Sequence, residues 1–425
     1  MSSESAGRPA CGPTCGPTRG STRGPTCGPV YFDHNATTPA VPEAVASMLD
    51  ALRNTWANPS STHRPGQAAR RLLVDSRQRV ATFLGCQPAE IVFTSGATEA
   101  NHAAVLGAVR AGPRRRLVLS AVEHPGLLAL AQRLRGEGVR VDLVPVDRHG
   151  QVDVAAASAL IGEDVALVSV MGANNETGVL MPLDPLVALS HRAGAWFHVD
   201  ATQLAGKAPL SFGASGADLM SVSAHKLGGP RGVGALLVRK GLALAPLFSG
   251  SQERHRRGGT ENLPGIAGFA AACADIARTL AGDIERMGAL RSRLERGLRQ
   301  TLPAVHVYGA QVERLCNTTC VRFGSVDAER VLGELERAGF VASSGAACTS
   351  GGTQPSHVLL AMGEPPAHAR AGVRFSLARE TTAAQIDALV AAVGRVIQPL
   401  VVSSVAASLA EAAAGSEPEI ATQEH

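Results

Sequence analysis

The sequence predicts an α/β protein with a large domain on a mostly parallel sheet, followed by a smaller α+β domain. Three observations carry this. From about Val30 to Leu280, short apolar runs suited to strands recur, mostly separated by segments of helical periodicity, the pattern of βαβ units. After a helical segment over about Pro264–Leu302, short strands ("VHVYG", "CVRFG") alternate with helices ("AERVLGELERAG", "AAQIDALVAAVGRVI"). The chain has 425 residues, 45% of them hydrophobic, too long for one ordinary domain and apolar enough for two cores.

The N-terminus repeats itself, with "CGPT" at Cys11 and Cys15, "RGPT" at Arg23 and "CGPV" at Cys27. Gly, Pro and Thr at this density cannot bury a core, so residues 1–29 are expected to form a disordered tail. A metal-binding tail is the weaker reading, because these cysteines lack partner histidines and paired CxxC spacing. Residues 30–280 are read as the large domain, whose first few residues could instead pack on the small one. Within it, "ARRLLVDSRQRVATFLG" reads as a helix, "EIVFTSG" as a strand entering a turn, and "ATEANHAAVLGAVRAG" as a helix. "RLVLSAVEH", "VRVDLVPVD", "VALVSVMGANNETG", "AWFHVDATQ", "ADLMSVSAHK" and "VGALLVRK" read as strands, with "LLALAQRLRGEG" and "MPLDPLVALSHRAG" as intervening helices. Residues 281–397 form the predicted small domain and 398–425 a C-terminal tail, apolar and alanine-rich at first, then acidic and polar.

Composition excludes several classes. The formal net charge is +4, from 40 basic and 36 acidic residues, too balanced to predict nucleic acid or an anionic membrane as partner. No uninterrupted apolar stretch reaches the roughly 18 residues of a membrane span, and the first thirty residues hold no apolar signal segment. Eight cysteines do not make a disulfide framework in so long a chain, so free thiols in a reducing cytoplasm are expected. Cys316 and Cys320 have the spacing of a metal pair but lie in or beside a short strand. They are read, with Cys86 and Cys273, as small buried hydrophobes, and no metal site is expected.

Four motifs carry the chemistry. In "SAHKLGGPRG", Lys226 sits where an apolar strand meets a glycine-rich turn, a place where desolvation makes an amine a Schiff-base former. In "HVDATQ", Asp200 ends a buried strand with Gln203 three residues on, and a buried carboxylate needs a cation. In "FTSGATEA", a strand runs through a Ser-Gly turn into a helix, whose N-terminal amides with the Ser95 and Thr98 hydroxyls can cradle a phosphate. In "AVEHPG", His124 ends a strand before a proline, where an imidazole can stack on a flat ring or move a proton. Taken singly, these are a surface lysine, a turn cap, a helix cap and a structural histidine. Taken together they meet the needs of pyridoxal 5′-phosphate: an amine for its aldehyde, a carboxylate for its ring nitrogen, a phosphate cradle and a ring face.

With these motifs the sequence resembles the cysteine desulfurases of the NifS/IscS group, in the class V aminotransferase family of fold-type I PLP-dependent transferases. The resemblance covers about Val30–Ile397 and includes "YFDHNATTP", "NPSSTHRPGQ", "ANNETG", "RRGGTEN", "SSGAACTSG" and "VRFSLAR", in order. "QERHRRGGTEN" and "PSHVLLAMG" look closer to the NifS type. The resemblance implies a catalytic trio of Cys348, Lys226 and His124. Lys226 would carry the cofactor, and Asp200 and Gln203 would contact its ring. Ala97, Thr98, Ser223 and His225 would hold its phosphate, as would Thr260 from the other subunit of a homodimer. Asn174 and Arg374 would orient the substrate, with Asn35 assisting. It further implies L-cysteine as substrate, a persulfide on Cys348, and an iron–sulfur scaffold protein as sulfur acceptor, with nitrogenase maturation the narrower expectation. The glycine- and serine-rich setting of Cys348 fits a thiol that must both reach the cofactor and present its product elsewhere. A selenocysteine lyase or an aminotransferase-like enzyme is the rival reading. Arg231 stands where the family often has lysine, and Gly172 replaces a larger residue before "ANN".

Overall fold

The structure, a computed structural model, describes residues 28–345 and 354–403. Its elements run β1 (Val30–Tyr31), α1 (Pro42–Asn54), α2 (Arg64–Leu84), β2 (Ile91–Thr94), α3 (Ala97–Ala111), β3 (Arg116–Ser120), α4 (Pro125–Gly136), β4 (Arg140–Val144), α5 (Val154–Leu160), β5 (Val165–Met171), α6 (Leu183–Arg192), β6 (Trp196–Asp200), β7 (Leu219–Ser223) and β8 (Gly234–Val238). There follow the four-residue turn α7 (Gln252–His255), α8 (Leu263–Thr301), β9 (Val305–Val307), β10 (Thr318–Phe323), α9 (Ala328–Arg337), β11 (Phe340–Val341), β12 (Ser343–Ser344), α10 (His357–Ala361), α11 (Pro366–Arg370), β13 (Gly372–Ser376) and α12 (Ala383–Val396).

The large sheet has seven strands in the order β2-β8-β7-β6-β5-β3-β4. All pairings are parallel except those of β8, which runs against both β7 and β2. Apart from edge strand β4, its strands are buried on both faces because alternate residues serve two cores. Leu117 and Leu119 of β3 join α3 and α4 on one side, while Val118 joins α2, α6 and α8 on the other. The small domain packs α9 and α12 on a four-stranded antiparallel sheet, β12-β13-β10-β9. The chain start belongs to it structurally: Val30 and Tyr31 pair in parallel with Phe340 and Val341, and Phe32 lies in the small core.

Helix α8 carries the chain from the large domain to the small one across residue 280 without a break. Its 39 residues are one continuous helix, with Leu263–Ile276 in the large core and Leu290–Leu298 in the small one. At about 1.5 Å per residue it is a rod of roughly 58 Å shared by both domains. Over 18-residue windows, α8 and the helix running to Ser403 are apolar and long enough to match a membrane span, although 56% of the α8 window is buried within the protein. The expected N- and C-terminal tails lie outside the described residues apart from Gly28, Pro29 and residues 398–403.

Edge strand β2 is finished by side chains. Arg77 donates to Ile91 O at 2.9 Å, and Glu253 Oε2 accepts from Phe93 N at 2.9 Å. The two close on each other as a bidentate buried ion pair, at 2.8 and 2.5 Å. Glu253 reaches this position from a turn in which Glu253, Arg254 and His255 have φ of 45°, 57° and 64°, a left-handed conformation that non-glycine residues rarely hold. Removing one partner would leave the other charge buried and unpaired. Arg77→Met is expected to destabilise the fold by about 3–5 kcal/mol, and adding Glu253→Met should recover part of that loss, as read by urea denaturation.

Candidate active site

The carboxyl ends of β2, β3, β5, β6 and β7 converge on a cavity of about 540 Å³. That is where an open α/β sheet leaves a crevice for ligands. β2 leads through Ser95 and Gly96 into α3, whose N-cap Gly96 makes no side-chain cap hydrogen bond. The first amides of a helix have no intrahelical partner, so Ala97 and Thr98 face the cavity with donors available. A Cβ on Gly96 would meet only Ser223 Oγ, at 3.8 Å, so the cradle is open. Beyond β7, Ser223, His225 and Lys226 line the same space. Burial and the neighbouring Lys226 charge push the His225 imidazole down to about 4, and its Nδ1 lies 3.1 Å from Thr37 Oγ1.

Asp200 ends β6, 5% exposed. Its Oδ2 accepts from Asn101 Nδ2 at 2.7 Å and its Oδ1 from Thr202 N at 3.0 Å. Two donors leave a carboxylate with acceptor capacity toward the cavity. His124 caps α4, its Nδ1 accepting from Gly126 N at 3.1 Å, so the neutral ring carries its proton on Nε2. Burial pushes this imidazole down, with Lys226 and His357 acting in the same sense and Asp200 opposing.

The small domain supplies the opposite wall. Arg374, in the middle of β13, is 3% exposed. It donates to Asp33 Oδ1 at 2.5 Å and to Asn175 O at 3.0 Å, and its buried Nε has no hydrogen-bond partner among the described residues. Asn35 Nδ2 donates to Asn175 O at 3.2 Å and to Thr318 Oγ1 at 2.8 Å. Gln203 donates to Asn35 O at 3.0 Å and accepts from Lys207 Nζ at 2.5 Å, which leaves one Nε2 hydrogen facing the cavity it lines.

One expected position comes out differently. Asn174 does not line the cavity: its Oδ1 accepts from Glu176 N, Thr177 N and Thr177 Oγ1 at 2.9, 3.0 and 3.2 Å, closing the turn after β5. The next residue, Asn175, occupies the wall instead, with a buried Oδ1 that lacks a partner among the described residues. The turn spends the first asparagine on its own backbone, so the second is the one that lines the cavity. Thr260 lines a separate cleft of about 100 Å³ that shares Ser95 and Gly232 with the main cavity. Cys348 lies outside the described residues, between Gly345 and Gln354.

Sequence reasoning missed Asn101, Lys207 and Glu123. Lys207 is buried and also donates to Asn35 Oδ1 at 3.0 Å, and burial with the nearby Lys226 holds its amine well below the usual lysine range. The signal was its place four residues after Gln203. Glu123 adjoins His124, accepts from Ser120 Oγ at 2.5 Å and from Met171 N at 2.7 Å, and is fully buried. Cys273, Cys316 and Cys320 are buried thiols pushed up by burial, and Cys316 Sγ donates to Lys207 O at 3.2 Å. Cys86 is only half-buried, against the large core.

Residues 30–389 match the profile of the aminotransferase class-V family. A cysteine desulfurase of Cereibacter sphaeroides is 47% identical over 88% of this chain and 95% of its own. The chain belongs to the class-V aminotransferase family, in its NifS/IscS group of cysteine desulfurases. Among solved structures, a NifS-like protein superposes with a TM-score of 0.81 at 33% identity, over 87% of this chain and 99% of its own. One described as SspA in complex with cysteine superposes with a TM-score of 0.73 at 29% identity, over 83% of this chain and 100% of its own. These superpositions cover both the large sheet and the small domain of this chain.

Burial, with the nearby Asp200 charge, pushes the Glu123 carboxyl up to about 8. A carboxyl raised on folding favours the folded state while protonated. Its contribution is present below the ordinary carboxyl value and is lost between there and about pH 8 as the unfolded chain ionises first. Glu123→Gln keeps the acceptor without the ionisation. Its melting temperature relative to the unaltered protein should rise with pH between 5 and 8, by a few degrees on the order of 2–4 °C.

Proposed function

We propose that this protein is a pyridoxal 5′-phosphate-dependent desulfurase that takes sulfur from L-cysteine, releases L-alanine and holds the sulfur as a persulfide on Cys348. The observation that carries this is one cavity onto which Lys226, Asp200, His124, the α3 N-terminus and Arg374 all open. The residues fit the cofactor on three structural grounds. The cradle before α3 is uncapped and open at Gly96. Asp200 has acceptor capacity beyond its two donors. The Thr202 hydroxyl, in the same wall, is buried without a hydrogen-bond partner among the described residues.

Lys226 would hold the cofactor through its amine, Ala97, Thr98, Ser223 and His225 its phosphate, Asp200 its ring nitrogen and Gln203 its ring oxygen. When bound, the cofactor supplies an electron sink for negative charge at the substrate Cα. Arg374 orients the substrate carboxylate, its unpartnered Nε being one prong of the fork, and Asn175 Oδ1 offers an acceptor beside it. Lys226 Nζ, in the same cavity, would take the proton from the substrate Cα and return it before release. Cys348 Sγ would attack the substrate sulfur as a thiolate: the S–S bond forms, the C–S bond breaks, its electron pair stays with the carbon skeleton, and that skeleton gains one proton at Cβ, regains one at Cα and leaves as alanine. His124, neutral and protonated at Nε2, faces this step as a donor.

A homodimer completes the site in this reading. Thr260 stands outside the main cavity of its own chain, ready to serve a partner's phosphate cradle. Helix α1 also exposes Val45, Leu49 and Leu52 on one face, followed by Trp56 at 77% exposure, more apolar surface than a monomer needs. The acceptor is a protein of the iron–sulfur scaffold type in a reducing cytoplasm, with nitrogenase maturation the narrower assignment.

Two variants test this. Cys348→Ala should abolish sulfur transfer from L-cysteine while keeping the absorbance of the lysine-bound cofactor, and full transfer by that variant would refute the role of Cys348. Lys226→Ala should lose that absorbance. Separately, Arg374→Ala should raise KM for L-cysteine about 100-fold, as expected for loss of a bidentate carboxylate contact, with steady-state alanine release as the measurement.

A further inference from the structure

Glu176 is the acidic residue of "ANNETG", and the chemistry above does not use it. It is 1% exposed and projects from the turn after β5, beside the cavity wall formed by Asn175 and Arg374. Its carboxyl meets both ends of the stretch that contains Cys348. At the far end, Ser356 Oγ donates to Glu176 Oε2 at 2.5 Å while accepting from Leu359 N at 3.1 Å, which ties the start of α10 to the same carboxyl. At the near end, Gly345 backs onto that oxygen: a Cβ there would overlap Glu176 Oε2 and approach its Cδ to 2.8 Å. Gly345 follows β12, where Ser343 is paired with Arg374. Beyond Ser356, His357 Nδ1 stands 4.0 Å from Glu176 Oε1, and its Nε2 lies 2.9 Å from the carbonyl oxygen of Glu123, next to His124.

We propose that Glu176 is a positioning residue for the sulfur-accepting thiol, a single buried carboxyl of the large domain on which both ends of the Cys348 stretch are seated. The inference rests on Cys348 being the sulfur acceptor. Seating Gly345 and Ser356 on one carboxyl fixes the two described points that flank Cys348 next to the cavity wall, and fixed geometry raises the effective concentration of reacting groups. A carboxyl suits the task because it offers separate oxygens to Ser356 and to the His357 side, and because Gly345 lacks the Cβ that would push it away. Burial pushes this carboxyl up, which makes a neutral amide its conservative replacement.

The test uses the full-length, cofactor-loaded protein in single-turnover mixing with L-cysteine. Persulfide on Cys348 is read by mass spectrometry after alkylation, and substrate binding by the change in cofactor absorbance. Glu176→Ala should slow persulfide formation about 10- to 100-fold while substrate binding stays within about 2-fold. Glu176→Gln, whose amide oxygen still accepts from Ser356, should recover most of the rate, and Gly345→Ala should reproduce the alanine defect. Unchanged persulfide formation in Glu176→Ala would overturn the proposal, and so would parallel loss of binding and persulfide in both Glu176 variants. If Glu176→Ala does not fold, Ser356→Ala removes the same hydrogen bond from the other end and must show the same split, or the proposal fails. Unaltered protein that places no sulfur on Cys348 would remove the parent reading and this one with it. Failure of the Glu176 role alone leaves that persulfide intact.

Discussion

The site is organised around one carboxylate held at the buried end of a parallel strand. Asp200 ends a strand whose five residues are all buried or nearly so, and it accepts from Asn101 Nδ2 and from the Thr202 amide. A buried charge needs a counter-charge. The Asn101 side chain and the Thr202 backbone amide supply hydrogen bonds, and the carboxylate also lines the cavity shared with Lys226. The other features arrange themselves around that demand. The parallel sheet brings Lys226, His124 and the α3 amides to the same edge as Asp200, and the small domain brings Arg374 across from them.

The two domains meet through polar groups that have few alternatives. Arg374 is held by Asp33 and by the Asn175 carbonyl, so the strand that presents it is referenced to the turn after β5. Asn35 links Asn175, Thr318, Asn317 and Lys207, joining the chain start, the small sheet and the large domain in one buried network. Helix α8, common to both cores, keeps this junction from behaving as a loose hinge. Such networks are costly when incomplete and specific when complete, which suits a wall that must hold a guanidinium in register with a carboxylate.

Much of this was legible in the sequence. Lys226, Asp200 and His124 stand at strand ends, and strand ends are visible as apolar runs meeting Gly, Pro or polar residues. The mostly parallel sheet followed from the same runs. What stayed hidden depends on where a side chain turns or on distant partners. Adjacent asparagines 174 and 175 are chemically identical, and only the turn's own hydrogen bonds decide which one faces the cavity. Lys207 looks like a surface charge until Asn35 and Gln203, far apart in the chain, are seen to receive its amine. The boundary near residue 280 falls inside one helix, between its large-core and small-core residues, because a helical pattern does not say how many cores a helix will serve.

Replacing Asp200 by asparagine tests the central claim most directly, since it keeps the shape and removes the charge. The loaded variant should retain the absorbance of a cofactor attached at Lys226, because the amine and the phosphate cradle are untouched, while alanine formation from L-cysteine falls about 100-fold or more. Turnover within a few-fold of the unaltered protein, with the cofactor bound, would contradict the account.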